Sequence, residues 1–260
     1  MKKILFLSLM ASFFVFSCQK EQGVQDENLT DLEKKAILAK GFSPEKAIRI
    51  SEGFLVEGDI VLTTEEMQET ALYQFLKIAE VEQYRTNNLV TGLPRQITVS
   101  ISSQLPSSYV ACLDIALARY NAENLLLTFT RVTSGANISI VKGNGSYLAS
   151  AGFPTSTGQP YNQVKVNSRA IGNNPNQNYL ATILAHEIGH CIGMRHTDFA
   201  DRSYSCGGSP TNEGASTVGA VHIPGTPTGP DPNSWMLACI GSGQNRPFNA
   251  NDKVALNYLY

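Results

Sequence analysis

The chain has 260 residues, of which 42% are hydrophobic and only 16% charged, with a formal net charge of −2. That balance is enough for one or two domains with a real core. The low charge and the lack of a basic stripe exclude a nucleic-acid partner.

The first eighteen residues predict a targeting signal. Lys2 and Lys3 form a basic start, and Ile4 to Phe16 is an apolar run too short to span a bilayer. Val15-Phe16-Ser17-Cys18 resembles a bacterial lipobox, in which the cysteine is lipidated and becomes the mature N-terminus. Phe16 stands where a small residue is usual. Gln19-Lys20-Glu21 resembles the export signal of bacterial surface lipoproteins. The expectation is a signal peptide over 1–17, lipid on Cys18, and an exported protein anchored at the outer membrane or cell surface. The alternative is an ordinary secretory peptide and a periplasmic or secreted product.

Residues 18–95 predict a tether and an N-terminal region distinct from the rest. Lys and Arg number 9 and Asp and Glu 14 over 19–95, a net of −5, whereas 96–260 carries 9 and 8, a net of +1. One or two short helices are expected around Gly41-Phe42-Ser43-Pro44, where Ser43 can cap a helix starting at Pro44. Phe54 to Leu62 reads as extended, Thr64 to Tyr84 has helical spacing, and Thr86 to Arg95 reads as a polar linker.

A catalytic domain is expected over 96–260. Ile97, Val99 and Ile101 alternate as a first strand, and Pro106-Ser107 introduces a helix to about Asn121. Leu125 to Val132 and Ile138 to Val141 predict further strands. Ser146 to Phe153 is rich in small residues. Tyr161 to Ile171 alternates. Asn173-Asn174-Pro175 is expected to cap the next helix, with Leu180, Leu184 and Ile188 towards the sheet. The stretch 201–247 is loop-rich, and Asn249 to Tyr260 predicts a final short helix.

That next helix carries the chemistry. His186-Glu187-Ile188-Gly189-His190 places two imidazoles one turn apart and about 40° apart around the axis. Both can reach one metal ion. Glu187 faces the same opening without a ligand role, which suits a general base acting on water activated by the metal. Gly193 can end the helix in a left-handed conformation and let the chain return His196 as a third ligand. Three neutral nitrogens leave a tetrahedral zinc ion one open position, as a catalytic site requires. The chain has only 4 histidines, and this stretch uses three. His222 is expected to be structural or exposed. Asp198 reads either as an acceptor orienting the third ligand's loop or as a turn residue.

The cysteines left beside Cys18 are Cys112, Cys191, Cys206 and Cys239, enough for two disulfides in three connectivities. Cys206 and Cys239 lie in loop-like sequence and are the first pair expected. Cys191 shares a face with Leu184 and Ile188 and reads as a packed thiol.

The extended H-E-x-x-H-x-x-G-x-x-H pattern, the strand–helix–strand order before it and the downstream Met236 resemble the metzincin zinc peptidases. Within them, the HEIGH sequence and Arg195-His196-Thr197-Asp198 look most like the bacterial dual-action HEIGH metallopeptidases. The resemblance implies an α+β fold: a mixed twisted sheet with an active-site helix, a second helix beside it, and an irregular C-terminal subdomain with a Met-turn and final helix. It implies one Zn2+ on His186, His190 and His196, Glu187 as base, Met236 as the hydrophobic floor under the metal, and a protein or peptide substrate. Leu237 and Ala238 occupy the place of the tyrosine that follows this methionine in astacins. Val56-Glu57-Gly58-Asp59-Ile60 resembles the Phe-x-Gly-Asp prosegment motif of astacins, whose aspartate binds the zinc. Latency through Asp59, relieved by cleavage between Ile60 and Gln96, is therefore expected. The reading from another class is a non-catalytic zinc lipoprotein used for binding or adhesion.

Overall fold

The computed structural model describes residues 29–68, 83–210, 219–227 and 230–260. The signal peptide and Cys18 lie outside the described residues, as does most of the helix expected over Thr64 to Tyr84. Among the described residues, no helix is long and apolar enough to cross a membrane.

The N-terminal segment begins with α1 (Asp31–Lys40). Thr30 and Glu33 close a capping box at its start, and Gly41 ends it in the left-handed conformation. The helix expected from Pro44 does not form. Ser43 accepts a bond from the amide of Glu45 at 3.1 Å, but the chain turns at once into β1 (Ile48–Ile50). The two β-branched residues of that strand favour pairing over a helical turn. β1 pairs antiparallel with β2 (Gly53–Val56), which pairs antiparallel with β3 (Ile60–Thr63). The β2–β3 hairpin has Glu57, Gly58 and Asp59 at its tip. α2 (Thr64–Gln68) follows. Leu29, Ile37, Phe42, Val56, Ile60 and Leu62 form a core that closes on Phe153 of the main body.

The stretch before the main sheet is irregular, but it is tied to the body at several points. Tyr84 and Arg85 form β4, outside any helix, and Thr86, Val90 and Gln83 are buried. The amide of Thr86 donates to Gly193 O at 2.8 Å and that of Val90 to Tyr260 Oη at 3.2 Å. These distant partners satisfy polar groups that look solvent-directed in the sequence.

β5 (Arg95–Ile101) is followed by α3 (Ser108–Asn121), β6 (Leu127–Arg131), β7 (Ile138–Lys142), β8 (Ala149–Ser150) and β9 (Gln163–Val166). The sheet order is β6-β5-β7-β9-β8. β5 runs parallel to β6 and β7, β7 parallel to β9, and only β8 is antiparallel, at the edge. After the short α4 (Ser168–Ile171) comes α5 (Gln177–Cys191). α3 and α5 pack on each other and against the sheet. Their buried residues Leu113, Leu117, Leu180, Leu184 and Ile188 join Ile97, Val99, Ile138 and Val164 in one core.

The remainder is irregular: α6 (Ser203–Cys206), β10 (Val221–His222) paired antiparallel with β4, and α7 (Ala250–Leu259). Asn249 caps α7, and Cys206 is bonded to Cys239. Cys112 and Cys191 are free, buried thiols. The architecture is mixed α+β on a mixed sheet.

Candidate active site

α5 is capped by Asn176, one residue past the expected Asn-Asn-Pro. Its side chain accepts from the amides of Asn178 at 2.9 Å and Tyr179 at 3.1 Å. Every residue from Tyr179 to Cys191 is buried, so this helix runs through the middle of the molecule. Gly189 allows close packing there: a Cβ on it would lie 2.8 Å from Met236 Sδ. The helix ends at Gly193, with φ +107°. A Cβ there would meet Leu89 Cδ2 at 2.7 Å and Asn88 O at 2.9 Å. The chain reverses, the amide of Arg195 donates to Tyr84 O at 2.8 Å, and that of Thr197 to Met236 O at 3.0 Å.

This reversal brings three imidazoles to one point. Nε2 of His190 lies 3.0 Å from Nε2 of His186 and 3.2 Å from Nε2 of His196. Nε2 of His186 and His196 are 3.3 Å apart. Asp59 Oδ2, from the hairpin tip, lies 3.3 Å from His196 Nε2 and 3.6 Å from His186 Nε2.

The other ring nitrogens face acceptors. His186 Nδ1 donates to Trp235 O and His190 Nδ1 to Met194 O, each at 2.8 Å. His196 Nδ1 donates to Glu57 Oε2 at 3.2 Å. A carbonyl or carboxylate oxygen cannot donate, so each Nδ1 carries the proton and each Nε2 presents a lone pair. Three lone pairs and a carboxylate oxygen converge with no proton donor among them, and Asp59 Oδ1 has no hydrogen-bond partner. A bound metal cation would satisfy that arrangement. Its nitrogen and oxygen donors suit zinc.

Glu187 is buried beside these ligands, and its Oε2 has no hydrogen-bond partner. Burial pushes its carboxyl well above the usual carboxylate range, and the charge of Asp59 pushes the same way. A cavity of about 250 Å³ opens beside it, lined among others by Ile183, His186, Leu237, Ile240, Arg246 and the hairpin tip.

The site rests on a second layer that residue types alone do not disclose. Arg195 is fully buried. Its Nη2 donates to Glu57 Oε1 at 2.7 Å and its Nη1 to Gly219 O at 3.1 Å. The guanidinium lies 4.5 Å from the ring centre of Phe42 and 5.4 Å from that of Phe199. Glu57 thus holds both Arg195 and the third histidine. Its one trace in the sequence is its place two residues before Asp59. Asp198 accepts from the amide of Ala238 at 2.9 Å and from Ser205 Oγ at 2.5 Å. It fastens the loop after His196 to the turn of Met236. Asp252 of α7 accepts from Ser234 Oγ at 2.7 Å, Gln83 Nε2 at 2.7 Å and the amide of Trp235 at 3.3 Å, bracing that turn from below. His222 stands apart from the cluster, near Thr226 Oγ1 at 3.3 Å.

Residues 54–260 match the model of the dual-action HEIGH metallopeptidases. The chain belongs to that family. This dual-action HEIGH metallopeptidase is a zinc metallopeptidase, with one zinc ion consistent with its three histidines and aspartate. Among solved structures it is similar to two of myroilysin. One is 17% identical, covers 66% of this chain and 95% of that chain, and superposes with a TM-score of 0.46. The other, at 14% identity and a TM-score of 0.40, covers 75% of this chain and 95% of that one. It is also similar to high choriolytic enzyme 1, a hatching enzyme zinc-protease from Oryzias latipes (medaka fish), at 17% identity and a TM-score of 0.33 over 63% of this chain and 88% of that one. No curated protein matches the chain.

Proposed function

We propose that this metallopeptidase is an exported zinc endopeptidase, made as a latent precursor in which Asp59 covers the metal. The observation that carries the reading is the approach of Asp59 Oδ2 to within 3.3 Å of His196 Nε2 and 3.6 Å of His186 Nε2. His186, His190 and His196 would hold the ion, with Asp59 in the place a water would need. A zinc ion, when bound, acidifies water and polarises a peptide carbonyl. Glu187 takes a proton from the attacking water as the oxygen adds to the carbonyl carbon, then gives it to the nitrogen as the C–N bond breaks. Trp235 O and Met194 O fix the ring orientations of the first two histidines.

The hairpin covers the sheet edge as well. The amide of Val61 donates to Ala151 O at 2.8 Å, and that of Ala151 to Asp59 O at 2.9 Å. Those groups beside β8 are the ones a substrate backbone would pair with. Cleavage after Ile60 and before Gln96 would let the hairpin leave.

The test compares Asp59→Ala with the unaltered full chain, both uncut and zinc-loaded, on casein. Higher, chelator-sensitive hydrolysis by the variant is expected. Equal low activity in both, or full activity in the uncut parent, would remove the latency. Zinc binding without cleavage of any peptide, even after trimming, would favour the binding-protein reading instead. Export and the lipid on Cys18 rest on residues 1–21 alone. Mass analysis of the native N-terminus tests them, and an unmodified cysteine would rule the anchor out.

A further inference from the structure

We infer that Arg195 is a specificity-determining residue: it forms a subsite for an acidic substrate side chain, a place that Glu57 holds in the precursor. This rests on the latency reading above and goes on to name a substrate class.

The hairpin tip is unusual in its chemistry. Glu57 adopts φ +55° and Gly58 φ +91°. A tip of this kind is normally met by glycine or asparagine, because a longer side chain is strained in the left-handed region. A glutamate tolerates it here only because its carboxylate is repaid by other contacts. Those contacts are Arg195 Nη2 at 2.7 Å and His196 Nδ1 at 3.2 Å, with Glu57 and Arg195 both buried. Arg202 stands close as well, since a Cβ on Gly58 would lie 3.3 Å from its Nη2.

Glu57 also lines the cavity that His186 and Glu187 line. Its carboxylate bonds the Arg195 guanidinium through one oxygen and His196 through the other. If the hairpin departs, Phe42 leaves one side of that guanidinium while Gly219 O continues to hold the other. The Nε–Nη2 edge of a buried cation is then left without its carboxylate. Leaving such a charge unpaired is costly, so a carboxylate brought by the substrate is strongly favoured there. Asp59 Oδ2 lies 3.3 Å from His196 Nε2, where a metal held by the histidines would polarise the scissile carbonyl, and Glu57 is two residues from it. The subsite therefore falls within two residues of the cleaved bond.

The experiment is cleavage of an unbiased peptide library by the full chain activated by limited proteolysis and loaded with zinc. Asp or Glu is expected to be enriched at one position within two residues of the cut. Replacing that residue by Asn or Gln should lower kcat/KM about tenfold or more, the size of a charged hydrogen bond. In Arg195→Gln the ratio of the two kcat/KM values should fall towards one whatever the absolute rate, and an unchanged ratio in a zinc-loaded variant overturns the subsite. A second arm avoids any change to the enzyme: the peptide Phe54–Leu62 and the same peptide carrying Glu57→Gln are compared as inhibitors of the activated parent. The parent peptide should inhibit about tenfold more tightly. Cleavage without an acidic preference, or equal inhibition by both peptides, overturns the subsite and leaves the peptidase standing. Failure to cleave any library member overturns the peptidase reading and the subsite with it.

Discussion

His186 donates from Nδ1 to the main-chain oxygen of Trp235 at 2.8 Å. A ligand on the central helix is thereby aimed by a turn near the end of the chain. The same turn receives Thr197, next to the third histidine, through Met236 O at 3.0 Å. Main-chain oxygens of a distant turn thus orient the rings that would hold the metal, and loss of the metal should be felt across the whole centre.

Removal of zinc with a chelator should lower the unfolding temperature. At a thousandfold excess of ion over its dissociation constant the bound ion contributes about 4 kcal/mol. In a chain of this length that corresponds to roughly 10 °C. Differential scanning fluorimetry with and without chelator, followed by zinc add-back, checks it. An unchanged transition would mean that the three facing nitrogens are not a metal site.

Glu187→Gln should keep the fold and the bound zinc but lose turnover by about 10²- to 10⁴-fold, the usual contribution of a positioned base. The isosteric amide fills the same buried place without accepting a proton. Metal content, circular dichroism and peptide hydrolysis of the activated variant decide it. Hydrolysis close to the parent rate in a folded, loaded variant would contradict the assignment of the base.

Much of this centre was legible in the chain itself. Helical spacing places His186 and His190 together, and Gly193 permits the reversal that returns His196. What could not be read is what faces what across long separations. Glu57 meets Arg195 only because a hairpin folds over the end of the helix. Thr86 and Val90 looked like linker residues because their partners, Gly193 and Tyr260, lie far along the chain. Ser43-Pro44 carried a sound start signal for a helix, but the pairing of β1 with β2 outweighed that local preference.

Gly193→Ala tests the reversal. A left-handed conformation costs an L-residue roughly 1–2 kcal/mol. The new Cβ would also press on Asn88 O at 2.9 Å, a main-chain atom that cannot swing aside. We expect lower thermal stability and zinc affinity weakened by about tenfold, as the loop bearing His196 is displaced. Chelator competition measures the affinity, and a variant that binds zinc like the parent would show that His196 is positioned otherwise.

A pH effect is expected in the N-terminal segment. Arg49 Nη2 lies 2.7 Å from each carboxylate oxygen of Glu33, and Thr30 bonds the same group. The hydrogen bonds from Arg49 and then Thr30 lower the Glu33 pKa from 4.5 to about 2. The folded state therefore releases this proton more readily than the unfolded one. Its stabilising effect is full above pH 4.5 and is lost as pH falls towards 2. An NMR titration should find the depressed value in the parent and a return towards 4.5 in Arg49→Ala. The same pKa in both would remove Arg49 as the cause.

The glycine inside the HEIGH sequence has a consequence for reading other chains. Its missing side chain is the space that Met236 Sδ fills, 2.8 Å from where a Cβ would stand. Neither position is free to drift alone: a larger residue at 189 demands a smaller one at 236, and the reverse exchange leaves a void beneath the ligands. The two should covary among relatives as a single inherited character. A chain that keeps the histidines but breaks this pairing would advertise a different floor beneath its metal.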